Sequence, residues 1–173
     1  YIDYLFASMP SAHISLSYTG DGSASKTVAC DLESTPGMII VKRRNSSGDW
    51  YIYHVDMGSG SAAYFNGFAS SFASTGVWNN STPTSSSFDV AGNLNISGAV
   101  YDVSVFANNP GAISCGSYIG NGSASGPSVV CGAGWKPQWL LFFRTDSFGW
   151  SWEVYDSVRS PTNPVDDTLA FNT

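Results

Sequence analysis

The chain has 173 residues, with 13 acidic against 7 basic side chains and a net charge of −6, so its field repels phosphate backbones and excludes nucleic acid as an expected partner. Apolar residues make up 43% and charged residues only 12%, enough to fill a core and too little charge for a disordered tail. The longest apolar runs, Met38–Val41 and Trp139–Phe143, fall far short of the about 20 residues needed to span a bilayer as a helix, and membrane insertion is not expected.

Tyr1–Ala7 is a β-rich run that returns as Tyr101–Ala107, and it reads as the closing strand of a preceding module. Ser8–Ala12 is a short Pro-containing linker, matched by Asn108–Ala112. The nonapeptide Ser17–Ser25 then returns at Ser117–Ser125, one hundred positions later, with seven of nine residues identical. Such self-similarity has to be settled before any local motif is read. Asp21-Gly22 and Asn121-Gly122 are turn dipeptides, because Gly, Asn and Asp tolerate the positive φ of hairpin turns. Farther along, Cys30, Pro36, Arg43, Trp50 and Tyr53 match Cys131, Pro137, Arg144, Trp152 and Tyr155 after two single-residue insertions.

Within the first copy, Lys26–Cys30 leads to Gly37–Arg43, whose continuous apolar stretch suits a strand buried on both faces. The turn Asn45–Asp49 delivers Trp50–Val55, expected to form a hairpin with Met38–Arg43. Alternation puts Trp50, Ile52 and His54 on one face and Tyr51, Tyr53 and Val55 on the other. A Gly/Ser/Asn-rich stretch from Met57 to Ser87 allows one short helical turn near Phe68–Ala73. Phe88–Ala91, Asn93–Ile96 and Val100–Phe106 close the copy. The second copy repeats the pattern with Pro127–Cys131, Trp139–Arg144 and Trp150–Tyr155, and its Leu169–Thr173 aligns with the run from Ala63 to Asn66.

Many short strands between polar turns predict an all-β chain of tandem antiparallel β-sandwich modules. The expected division is a closing strand at 1–7, a linker at 8–12, a complete module at 13–107, a linker at 108–112 and a C-terminally incomplete module at 113–173. The chain reads as a segment of a longer array. The other reading of its ends is head-to-tail donation, in which Tyr1–Ala7 of one subunit completes the second copy of the next. Three cysteines leave open either a Cys115–Cys131 bridge or buried free thiols.

An enzyme needs convergent titratable groups, and only His13 and His54 are present, with Asp156 standing at the His54 position of the second copy. Neither a catalytic set nor a metal or cofactor site is expected, and no Cys/His spacing suggests zinc. The candidate ligand contacts are the loop aromatics Trp78 and Trp150, as stacking platforms for a sugar, with Asp21 and Asn121 at the two turn tips.

The ordered set Ser17–Gly22, Thr35–Arg44, Gly48–Trp50, Tyr53-His54, Trp78–Asn80, Pro83–Phe88 and Asn95–Gly98 resembles a repeated domain of tailed-phage virion proteins. The second copy, with Cys115–Tyr118, Gly120–Gly122, Trp135–Pro137, Tyr155–Arg159 and Asn163-Pro164, resembles a sister subtype. That resemblance implies modules of the jelly-roll or lectin-like kind and a non-enzymatic structural or adhesive part of a tail-fibre-like appendage, located in the virion. The implied partners are further copies of the chain in a homo-oligomer, of which a trimer is one form, other virion proteins and a host-surface polysaccharide. The alternative is a carbohydrate-binding module of a secreted bacterial adhesin or enzyme.

Overall fold

The computed structural model describes residues 5–67, 70–74, 76–132, 135–162 and 165–171. The chain is all-β and antiparallel: β1 (His13–Thr19), β2 (Lys26–Ala29), β3 (Pro36–Arg43), β4 (Trp50–His54), β5 (Ser61–Tyr64), β6 (Phe72–Ala73), β7 (Ser87–Val90) and β8 (Val100–Ala107), then β9 (Trp139–Phe142), β10 (Glu153–Asp156) and β11 (Leu169–Ala170). One 3-10 turn, Gly92–Leu94, is the helical content of the described residues. Phe72–Ala73 is a strand rather than part of a helical turn, while Phe68 and Ala69 lie outside the described residues.

The main sheet runs β1-β8-β3-β4-β5-β6, with β8 inserted between β1 and β3. The expected hairpin is present, with Met38 opposite His54 and Lys42 opposite Trp50. One sheet face, carrying Ile39, Val41, Tyr51, Tyr53, Tyr101, Val103 and Val105, packs with Val28, Phe88 and Val90 of the β2-β7 pair into the larger core. Strand alternation therefore separates the two faces as the sequence requires: Tyr51 and Tyr53 point into this core, and Ile52 into a second one.

The second core is the joint between the two repeats. Met38, Ile52, Ala63 and Phe106 of the main sheet meet Trp152, with Leu141 and Phe143 packed alongside. Phe143 stacks on Trp152 at 4.2 Å and 7°, and Phe65 lies edge-on to Trp152 at 5.3 Å. Phe65 also touches Phe171, its own counterpart in the repeat, at 4.9 Å. Like faces of the two repeats thus meet back to back.

Backbone register carries the repeat as clearly as sequence does. Ile52 opposite Ala63 in the first copy is Val154 opposite Leu169 in the second, and Ile40 opposite Ile52 is Leu141 opposite Val154. The N–H of Phe65 donates to the Trp50 carbonyl as that of Phe171 does to the Trp152 carbonyl. The linkers agree as well, with isolated bridges Met9–His13 and Asn109–Ile113.

Some expected strands do not form. Pro127–Cys131 and the Ser117–Ser125 counterpart of β1 carry no strand, and Tyr118, Ile119 and Val130 are exposed. In the first copy the sheet neighbour of β1 is β8. Leu5–Ala7 form no ladder either; Phe6 packs inside its own chain, edge-on to Phe106 at 5.4 Å and Trp139 at 5.7 Å. Tyr1–Tyr4 lie outside the described residues. Cys30, Cys115 and Cys131 are all free thiols, so the Cys115–Cys131 bridge is absent.

Candidate functional site: an open groove on the main sheet

The sequence candidates separate cleanly. Trp78 is fully buried, edge-on to Tyr53 at 5.8 Å, and cannot stack a ligand. Its loop closes as a tight turn in which the Ser81 N–H donates to the Trp78 carbonyl and both central residues, Asn79 and Asn80, take positive φ. That left-handed pair, which Asn tolerates better than most residues, turns the chain so that Trp78 drops into the core instead of projecting from a polar loop. Trp150 is 48% exposed with the Arg144 guanidinium 5.3 Å over its ring, so it remains an accessible aromatic.

Asp21 and Asn121 do the same structural work in both copies. Each side-chain oxygen accepts the N–H of the residue two positions on, Ser23 at 2.8 Å and Ser123 at 3.0 Å, closing an Asx turn over Gly22 and Gly122, both at positive φ. Asp21 also accepts from the Ser23 hydroxyl, the Asn95 amide and Lys26. The Ser23 hydroxyl and N–H, then the Asn95 amide, hold its carboxyl well below the usual carboxylate range. Its lone pairs are committed to the fold.

His54 ends β4 with its Nδ1 accepting the Asp56 N–H at 3.2 Å. Asp156, its counterpart, accepts the Val158 N–H at 3.0 Å and pairs with Arg159 at 2.5 Å. The two positions cap the same turn, one with an imidazole and one with a carboxylate. Among the described residues no group of three His, Cys, Asp or Glu side chains could hold a metal ion.

The open feature is a groove of about 520 Å³ on the outer face of the main sheet, lined by Ser15, Ser17, Ile40, Lys42, Trp50, Asp102 and Ser104 among others. Register explains it. Ser17 stands opposite Asp102, Asp102 opposite Lys42, and Lys42 opposite Trp50, so four neighbouring strands contribute one continuous rung. The next rung along the sheet is Ser15, Ser104, Ile40 and Ile52, and the one beyond is His13, Phe106, Met38 and His54. Across three rungs the face passes from apolar residues under the second repeat to polar ones in the open.

Trp50 is 41% exposed, with Lys42 Nζ 5.7 Å over its ring and Phe65 6.4 Å away on the side toward the joint. Lys42 Nζ donates to the Gly48 carbonyl, which helps to hold it near the indole. Asp102 pairs with Arg44 at 3.3 Å while keeping a half-exposed carboxylate. The arrangement offers a flat apolar ring flanked by a cation, a carboxylate and hydroxyls. It can stack a flat apolar surface while donating and accepting hydrogen bonds in a line.

Choosing stacking candidates among the loop aromatics, Trp78 and Trp150, passed over Trp50, a strand residue. The available signal was the alternation that sets Trp50 opposite to Tyr51 and Tyr53, combined with the charged Lys42 and Asp102 in strands on the same face.

The chain is thus all-β, with this open groove carried by its main sheet. By a family match over residues 7–173, running through both repeats and the linker between them, the chain belongs to DUF7483, a domain of unknown function. No curated protein and no solved structure matches it.

Proposed function

We propose that the chain is a non-enzymatic structural and adhesive module of a tailed-phage virion, part of a tail-fibre-like appendage that meets a host-surface glycan. In this reading it comprises tandem antiparallel β-sandwich repeats of the jelly-roll or lectin-like kind, the second one incomplete. The observation that carries it is the joint between repeats, in which Phe65, Phe143, Trp152 and Phe171 lock two copies into one body. A stiff pair of repeats suits a load-bearing appendage better than a catalyst, which needs a pocket with convergent titratable groups. Edge strands such as β1 supply unpaired backbone for contacts between copies in a homo-oligomer.

The second reading is a carbohydrate-binding module of a secreted bacterial adhesin or enzyme, favoured by the same exposed Trp50 groove. Immunogold labelling with an antibody raised against the purified chain separates the two. Gold on the appendages of purified phage particles is the expected result, and labelling of bacterial surfaces or secretions without particles rejects the virion reading. In parallel, polysaccharides incubated with the protein should show no release of reducing ends; steady release would make it an enzyme.

A further inference from the structure

We propose that the rung Ser17–Asp102–Lys42–Trp50 is a binding site for a short neutral oligosaccharide lying across the strands of the main sheet. The inference rests on the adhesive part of the reading above and adds a site, a ligand class and an orientation to it.

Geometry sets the orientation. The four side chains come from adjacent strands about 4.8 Å apart, so the rung spans about 14 Å, the reach of a di- or trisaccharide. A pyranose has one face of C–H bonds and a rim of hydroxyls. Trp50 supplies the partner for the face, since its half-open ring lies at the end of the rung and its other neighbours are Lys42 and Phe65. The rim meets an acceptor in Asp102 and donors or acceptors in Ser17, Ser15 and Ser104, all partly or fully exposed in the groove. Fixed polar groups beside an aromatic platform are what selectivity for a hydroxyl pattern requires.

Charge sets the class. The chain carries −6 overall, and both cations beside the rung are already engaged: Lys42 donates to the Gly48 carbonyl and Arg44 pairs with Asp102 at 3.3 Å, leaving that carboxylate half-exposed. A uronate or sialate would have to compete with Asp102 for Arg44 or with the Gly48 carbonyl for Lys42, whereas hydroxyls of a neutral sugar can donate to the open side of Asp102 without displacing either. The second repeat sets the boundary: its Trp152, Leu141 and Phe143 cover the apolar rungs, so the ligand is confined to the polar end.

The test uses the purified chain and defined probes: cellotriose, maltotriose and chitotriose as neutral trimers and trigalacturonate as the acidic one, titrated by calorimetry. At least one neutral trimer should bind, and Trp50→Ala should weaken it at least tenfold, with Asp102→Asn weakening it and Trp150→Ala leaving it unchanged. Trp50 and Asp102 lie at the surface, and an unchanged far-ultraviolet circular dichroism spectrum verifies that the variants fold. Tighter binding of trigalacturonate, insensitivity to Trp50→Ala, or no binding of any neutral trimer at millimolar concentration would overturn the inference. The virion reading is tested separately by particle labelling and survives any of these failures.

Discussion

The pair Lys42 and Trp50 and the pair Phe143 and Trp152 occupy the same two places in the repeat, and one exchange decides their fates. Where Lys42 stands, the ammonium sits 5.7 Å from the ring centroid and the ring stays 41% exposed; where Phe143 stands, the rings stack at 4.2 Å and Trp152 is buried. Truncating a fully packed Trp leaves a large void, so Trp152→Ala should cost about 3–5 kcal/mol, read as a lower denaturant midpoint. Trp50→Ala should cost far less. Equal losses at both positions would mean that Trp50 also belongs to the core.

The two histidines make stability depend on pH. Burial lowers the pKa of His13, whose Nδ1 lies 3.3 Å from the Ala7 carbonyl and whose Nε2 has no partner among the described residues; burial lowers that of His54 too, against an opposing pull from Asp56. Both start from 6.5 in the unfolded chain. The unfolded state therefore takes up protons first as pH falls. Stability should hold above about pH 6.5 and decline below it, toward the lowered folded-state values. Chemical denaturation at pH 7.5 and at pH 5.5 measures this, with His13→Gln reducing the difference; a midpoint that rises on acidification contradicts it.

At the scale of elements, the alternation of Trp50–Val55 and the apolar run of β3 made the hairpin and its two faces readable, because period-two patterning records burial directly. The repeat offsets were readable for the same reason and return as identical register in β9, β10 and β11. The position of Trp78 was not, since the Asn79-Asn80 turn acts through backbone handedness that a polar composition conceals. Nor was the lack of a strand at Ser117–Ser125, because strand pairing in the equivalent β1 is made with β8, a segment distant in sequence. Gly37 shows another contact invisible to local pattern: a Cβ there would lie 2.5 Å from Cys115 Sγ and 2.7 Å from its Cβ. Gly37→Ala should therefore push β3 away from the linker segment and cost about 1–3 kcal/mol. The Cys115 thiol, pushed up to about 11 mainly by burial, should become more reactive toward a disulfide reagent in that variant; an unchanged rate would mean the joint absorbs the methyl group.

For the molecule as a whole, the joint makes two sequence repeats one folding unit. Thermal unfolding should show a single transition by both circular dichroism and tryptophan fluorescence. Phe143→Lys, which places a charge against Trp152 in the apolar joint, should split it into two, the second repeat melting first. A single transition in that variant would show that the repeats are coupled by the linker rather than by the aromatic contacts.

The contact between Phe65 and its own counterpart Phe171 joins two copies of one motif, yet the joint is lopsided. Trp152 is buried in it, whereas Trp50, which holds the same place in the first repeat, stays 41% exposed. A joint that is self-complementary would bury both or neither. The two repeats are therefore not interchangeable: one supplies the wedge, the other the seat and the open groove.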